Sequence, residues 1–196
     1  MKTIKLTVDI KLIEDMLGTI PKNREVHKQF IESKRKEING EDESLTVEDL
    51  DTTGYTGFHS DENGLFIYNY MIKGFLKSAG NNLKDTETVK TKNLRSKIDE
   101  LVFIFPRKIY LNKTSPDGII ERPLRAQTMQ GPRVSLAKSD LVHAGTVLNF
   151  TIEFIETKEI KASLFKELLD YGRLKGLGQW RNAGNGSFEV ISVKEV

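Results

Sequence analysis

Five of the fifteen glycines in this 196-residue chain fall between residues 172 and 186, in the run Tyr171-Gly172-Arg173-Leu174-Lys175-Gly176-Leu177-Gly178-Gln179-Trp180-Arg181-Asn182-Ala183-Gly184-Asn185-Gly186-Ser187. That density is several times the roughly 7% average usage of glycine. The run sits between an amphipathic helical pattern and a strand pattern. Glycine permits positive φ and lets a backbone approach another group with no Cβ in the way. A loop of such residues turns N–H groups toward an anion, as phosphate-cradling nests do. Arg173, Lys175 and Arg181 add charge, and Trp180 adds a stacking face or, equally, a core anchor. The competing expectation is a tight turn with no ligand.

The rest of the pattern gives alternating strands and helices. Residues 2–13 place Ile4, Leu6, Val8, Ile10 and Leu12 on one face of a half-buried strand. Residues 23–38 read as a polar helix with Asn23 as N-cap. Residues 39–57 are acidic and carry three glycines, which predicts an insertion or loop. Ser60 to Gly64 signals a turn, with Ser60, Asp61 or Asn63 capping a helix over Leu65–Ala79 that stops at Gly80. Residues 84–100 read as loop with some helix. Pro106 inside Leu101–Leu111 predicts an edge strand or two short strands meeting at a bend. Residues 112–133 hold a Pro116-Asp117-Gly118 turn and a basic stretch. Gly145–Ile155 reads as a strand, 161–173 as a helix, and 184–196 as a glycine turn followed by a strand. Helices interleaved with largely antiparallel strands predict an α+β fold, a ferredoxin-like (RRM-like) sheet with helices on one face plus insertions. One domain over 1–196 is expected, with an acidic insertion at 39–57 and a basic one at 112–133.

Charge is distributed unevenly although the net is only +2. Glu37 to Glu62 holds nine acidic residues and no Lys or Arg, whereas Lys73–Lys97 holds seven basic and two acidic residues. Arg107–Arg133 holds six basic residues against two acidic ones. This asymmetry predicts a basic face for a polyanion beside a separate acidic flank. There are no cysteines, which excludes a disulfide scaffold and any Cys-ligated metal. The N-terminus lacks the apolar core of a signal peptide, and no run approaches the roughly 18 apolar residues of a membrane span. A cytoplasmic protein with no membrane partner is expected.

Gly176-Leu177-Gly178 and Gly184-Asn185-Gly186, followed by a strand at Phe188–Val193, resemble the glycine-rich loop G-h-G-x-x-x-x-x-G-x-G of the RAMP superfamily, the repeat-associated proteins of CRISPR systems. Two further segments are similar. Asn69 to Gly80 looks like the family's segment in which an apolar-Lys-Gly stretch starts a helix facing RNA, and it places Lys73 and Lys77 four apart. His143 to Phe150 resembles the turn before a central strand. The Pro-Gly-Ser step common before the Lys-Gly pair is Tyr68-Asn69-Tyr70 here. The resemblance implies an RNA-binding subunit of a CRISPR effector or related ribonucleoprotein, holding guide or CRISPR RNA. It also implies other effector subunits as partners and a homo-oligomer along the RNA. The RNA-binding set is then Lys73, Lys77, Arg122, Arg125, Arg133, Arg173, Lys175, Gly176, Gly178, Trp180, Arg181, Gly184 and Gly186. The stretch 122–133 matches by position the thumb with which backbone subunits kink RNA.

No catalytic residue, cofactor or metal site is assigned. His27, His59 and His143 lie far apart with no ligand spacing. His59 with Asp61 and Glu62 could form a nuclease centre, since RNA cleavage can proceed with one His. No Walker, zincin or hydrolase-elbow motif is present. Two alternatives stand beside RNA holding: a metal-independent CRISPR-RNA-processing endoribonuclease, and a protein–protein module that uses the acidic segment 37–62.

Overall fold

The computed structural model describes residues 1–22, 55–84, 86, 89, 91–128 and 131–196. The expected helix at 23–38, its cap Asn23, His27 and residues 39–54 of the acidic stretch lie outside them. The alternation near the N-terminus becomes β1 (Thr3–Leu12), with Ile4, Leu6, Val8, Ile10 and Leu12 buried. Successive side chains of a strand point to opposite faces, so one residue in two enters the core. β11 (Val147–Ile155) behaves alike and pairs antiparallel with β1, setting Leu6 opposite Ile152 and Val8 opposite Phe150. β12 (Phe188–Glu195) lies on the other side of β1, and β7 (Val102–Phe105) beyond β11. The sheet order is β12-β1-β11-β7, antiparallel throughout.

Helices α1 (Asn69–Leu83) and α2 (Leu94–Leu101) come between β1 and β7 in the chain, and α3 (Ala162–Asp170) between β11 and β12. Their Ile72, Phe75, Leu76, Ile98, Phe165 and Leu168 join the inward strand residues in one core. The result is an α+β molecule, compatible with a ferredoxin-like arrangement. The sequence stopped α1 at Gly80, yet the helix runs on to Leu83. A Cβ on Gly80 would lie 2.9 Å from Ile98 Cδ1 and 3.1 Å from Leu94 Cγ. Gly80 therefore admits α2 against α1 rather than ending the helix.

The solvent face of the sheet is matched in charge. Lys5 pairs with Glu153 at 3.4 Å and Lys11 with Glu189 at 3.6 Å. Asp9 accepts hydrogen bonds from Ser192 Oγ (2.6 Å) and Asn149 Nδ2 (2.5 Å), which hold its carboxyl below the ordinary 3.8. A carboxyl depressed on folding adds stability above its unfolded pKa, and that stability is lost as pH falls through the folded value. The urea midpoint is therefore expected to drop below pH 3.8. The drop should be shallower in Ser192→Ala; equal slopes in the two proteins would contradict the assignment.

A second sheet combines β2 (Met16–Leu17), β3 (Ile20–Pro21), β4 (Tyr55–Gly57), β9 (Gly118–Thr128) and β10 (Gly131–Val142). Tyr55–Gly57 belongs to the expected acidic insertion, but as β4 it pairs with β3 and β10. The two ends of 23–54 are clamped. Lys22 N–H donates to Tyr55 O at 3.0 Å, and both side chains converge on Asp140. Lys22 Nζ donates to its Oδ1 at 2.9 Å and Tyr55 Oη to the same oxygen at 2.8 Å. The Asp140 side chain is only 3% exposed, so these partners satisfy a carboxylate withdrawn from water.

The basic stretch is half of a hairpin. β9 and β10 pair from Gly118↔Leu141 to Thr128↔Gly131, a ribbon of about 35 Å. Toward its tip each strand pairs only with the other. Pro123 has no N–H to donate, and it fits because β9 is an edge strand. A third sheet holds β5 (His59–Asp61), β6 (Gly64–Tyr68) and β8 (Lys108–Tyr110). Leu65–Tyr68, expected as the first turn of a helix, is thus a strand, and α1 starts at Asn69. Pro106 stands between β7 and β8, so the second expectation holds: two short strands meet at a bend, which carries the chain into another sheet.

Candidate nucleic-acid interface

The glycine loop begins where α3 passes into a short 3-10 turn, Tyr171–Arg173. Its two glycine pairs close on each other. A Cβ on Gly176 would overlap the Gly186 backbone, and one on Gly186 (φ +72°) would overlap Leu177 O. Leu177 N–H donates to Gly186 O at 2.9 Å across this contact. The loop is also stitched to the segment after β1: Gly186 N–H donates to Asp15 O at 2.8 Å and Gln179 N–H to Leu17 O at 3.3 Å. Gly178 sits directly on Leu17 O, whereas Gly184 turns in open space.

The sequence expected these amides to face an anion. Those of Leu177, Gln179, Ala183, Gly184, Gly186 and Ser187 instead donate to protein carbonyls. The glycines serve a backbone-to-backbone approach too close for any Cβ, and that approach consumes the donors. Toward the cleft the loop presents the side chains of Lys175, Trp180, Arg181 and Asn182.

Trp180 stands at φ +51°, half-buried, and the Arg122 guanidinium lies 4.7 Å from its ring centroid. Arg122 comes from β9, so the hairpin and the glycine loop meet here. Their junction is an open cleft of about 660 Å³ lined by Arg122, Pro123, Lys175, Trp180, Arg181 and Asn182, among others. Lys175 Nζ donates to Asn182 Oδ1 at 2.9 Å. Among the described residues no carboxylate pairs with Arg122, Lys175 or Arg181, so the cleft is cationic. Its floor is wired to the second sheet: Thr56 Oγ1 lies 3.0 Å from both Gln179 Oε1 and Ser139 Oγ.

The remaining expected residues lie elsewhere. Arg173 is exposed and paired with Asp170 at 3.2 Å, and it does not line the cleft. Arg125 and Arg133 occupy positions on β9 and β10, but their side chains lie outside the described residues. Lys73 and Lys77 do share one face of α1, and both grip Asp99. Lys77 Nζ is 2.8 Å from Oδ2, and Lys73 Nζ donates to the Asp99 carbonyl at 2.7 Å. The Lys77 hydrogen bond, more than any other cause, holds the Asp99 carboxyl below its usual range. These two lysines line a separate hollow of about 440 Å³ with Tyr70, Gly74 and Arg95. Of the basic face expected from 73–77, 122–133 and 173–181, Lys73 and Lys77 line one hollow, and Arg122, Lys175 and Arg181 line another.

His59 stacks on Phe66 with centroids 5.3 Å apart, and its ring meets Tyr68 edge-on at 4.5 Å. Asp61 caps no helix. Its Oδ1 accepts from Asn63 N–H at 2.9 Å in the β5–β6 turn, and its Oδ2 accepts from Lys108 Nζ at 2.5 Å. The cap position of α1 is Tyr68, and no side chain bonds there. His143 Nδ1 lies 3.3 Å from Asp15 Oδ2, on a turn that Asp15 also fastens by accepting from Ala144 N–H.

The sequence missed an aromatic group formed by Phe66, Tyr68 and Tyr110 of the third sheet with Tyr70 of α1; Arg107 lies 5.8 Å from the Tyr68 ring and Lys108 4.8 Å from the Phe66 ring. The signal was the two-residue spacing of Phe66 and Tyr68.

No protein-family model and no curated protein matches the chain. Solved structures do match in fold. A chain in the cryo-EM structure of the Type III-B Cmr-beta bound to cognate target RNA superimposes with a TM-score of 0.54 at 13% identity. The match covers 100% of this chain and 61% of that one, so this chain spans under two thirds of its neighbour's length.

Proposed function

We propose that this chain is an RNA-binding, RAMP-like subunit of a CRISPR effector or a related ribonucleoprotein, with a ferredoxin-like sheet at its centre. One observation carries the proposal: Arg122 and Trp180, 58 positions apart, meet at 4.7 Å in a cleft whose other cations, Lys175 and Arg181, have no carboxylate partner among the described residues. Guanidinium and ammonium groups take phosphates, and an indole face accepts a base without regard to its identity. Sequence choice is then left to pairing by the RNA itself. The fold likeness to a chain of an RNA-bound Cmr-beta supports the same reading. Arg125, Arg133, Lys73, Lys77 and Arg173 extend the contact along the backbone. Gly178 lines the cleft, and Gly176, Gly184 and Gly186 shape the loop that carries Trp180 and Arg181. Other effector subunits and further copies of this chain along the RNA are the partners, in the cytoplasm.

The test is filter binding of single-stranded RNA over a salt series. Log affinity should fall linearly with log salt, with a slope near −0.7 for each phosphate neutralised, or about −3 for four contacts. Absence of binding at low salt would remove the proposal. His143 beside Asp15 keeps the endoribonuclease reading open. That reading requires a 2′,3′-cyclic phosphate product that disappears in His143→Ala.

A further inference from the structure

The aromatic group at the start of α1 borders a third hollow, which shares only Tyr70 with the Lys73–Lys77 hollow. Tyr68 is braced on two sides, by His59 at 4.5 Å and Phe66 at 5.3 Å, both edge-on. Tyr70 continues outward from it, nearly parallel, with centroids 5.6 Å apart and planes 24° apart. Tyr70 is 60% exposed and Phe105, across the gap, is 49% exposed. Between them lies an open hollow of about 580 Å³ bounded by Tyr68, Asn69, Tyr70, Phe105 and Arg107. Arg107 is exposed and has no carboxylate partner among the described residues. Asn69 fixes the rim: its Nδ2 donates to Ile104 O at 2.8 Å and its N–H to Arg107 O at 2.9 Å. The hollow is thus held from the backbone, and its rim carries the exposed Tyr70 and Phe105 rings and the Arg107 guanidinium, which lies 5.8 Å from the Tyr68 ring.

From this geometry we propose that the hollow holds one unstacked base of a single-stranded RNA. The base lies on the exposed rings of Tyr70 and Phe105, and Arg107 meets the adjoining phosphate. The proposal rests on the RNA-binding reading and adds a point of contact that shares no residue with the Arg122–Trp180 cleft. A planar ring with a charged phosphate beside it uses both halves of the hollow; an apolar protein side chain would leave Arg107 without a counter-charge. Every base has a π face, so the hollow holds a base without selecting among the four.

The experiment uses the whole chain and a short single-stranded RNA carrying a fluorescent purine analogue at successive positions. Tyr70→Leu and Phe105→Leu keep apolar bulk and remove a ring, and Tyr70→Phe keeps the ring. The unaltered chain and Tyr70→Phe should quench the analogue. The two leucine variants should lose the quenching and bind about tenfold more weakly, with the salt slope unchanged because no cation is removed. Leucine variants that bind and quench like the unaltered chain overturn the base site while leaving the RNA reading intact. Failure of the unaltered chain to bind RNA at low salt overturns that reading and the base site together. If Tyr70→Leu alters only the sedimentation of the chain with itself, the hollow is a contact between copies and the proposal fails.

Discussion

Gly186→Ala is expected to destabilise the protein by roughly 2–5 kcal/mol. Two costs add. Gly186 stands at φ +72°, where an L side chain costs about 1–2 kcal/mol. Its new Cβ would also overlap Leu177 O, and forcing a well-packed contact apart costs about 1–3 kcal/mol, more when the neighbour is backbone. Leu177 cannot retreat without giving up its hydrogen bond to Gly186 O. For a chain of this size the midpoint should fall by about 10 °C in a thermal melt. Gly184→Ala is the control: φ is +88° but nothing lies within 4 Å, so only the conformational cost, about 1–2 kcal/mol, remains. Equal melting of Gly186→Ala and Gly184→Ala would mean that the two glycine pairs do not close on each other.

The second large effect concerns binding. Arg122→Glu combined with Arg181→Glu is expected to weaken single-stranded RNA binding by about a hundredfold or more at low salt. Each charge-assisted contact is worth about 1.5–3 kcal/mol, and reversal adds repulsion in a cleft with no resident carboxylate. The salt slope should flatten by about 1.4, two contacts at 0.7 each. Lys11→Gln is the matched control. Lys11 already faces Glu189 at 3.6 Å on the open side of the sheet, so its loss should leave affinity unchanged. If Lys11→Gln weakened binding as much as the double reversal, the RNA would lie on the sheet face instead. The double variant should melt within a few degrees of the parent, because both arginines line an open cleft and the lost Arg122–Trp180 contact is worth about 0.5–1 kcal/mol.

The elements legible in the sequence were those with one clean period and one buried face. β1 alternates without a break, and α3 carries Leu164, Phe165, Leu168 and Leu169 on one stripe. Short apolar runs misled. Gly64–Tyr68 is almost wholly buried, so its pattern has no polar residue to reveal a strand, and the helix after it shares the same apolar spacing. The β9–β10 ribbon was read as a turn and a basic stretch, because proline, arginine and glutamate mask the β signal on a strand with only one partner. In the glycine loop the residue types were informative but the direction of their amides was not. For Gly186 and Gln179 that direction depends on Asp15 and Leu17, more than 150 positions away, and no local pattern encodes it. The meeting of Arg122 with Trp180 was hidden for the same reason, although both residues were singled out on chemistry alone.

The clamp around Asp140 has a consequence for how this chain tolerates change. Lys22 and Tyr55 are tied backbone to backbone and pinned to one buried carboxylate, so the domain closes on itself before and after the intervening stretch. Lengthening or shortening a connection between fixed ends alters closure entropy only slowly, by about 0.6 kcal/mol per doubling. The stretch 23–54 can therefore change in length at little cost to the body that the clamp closes.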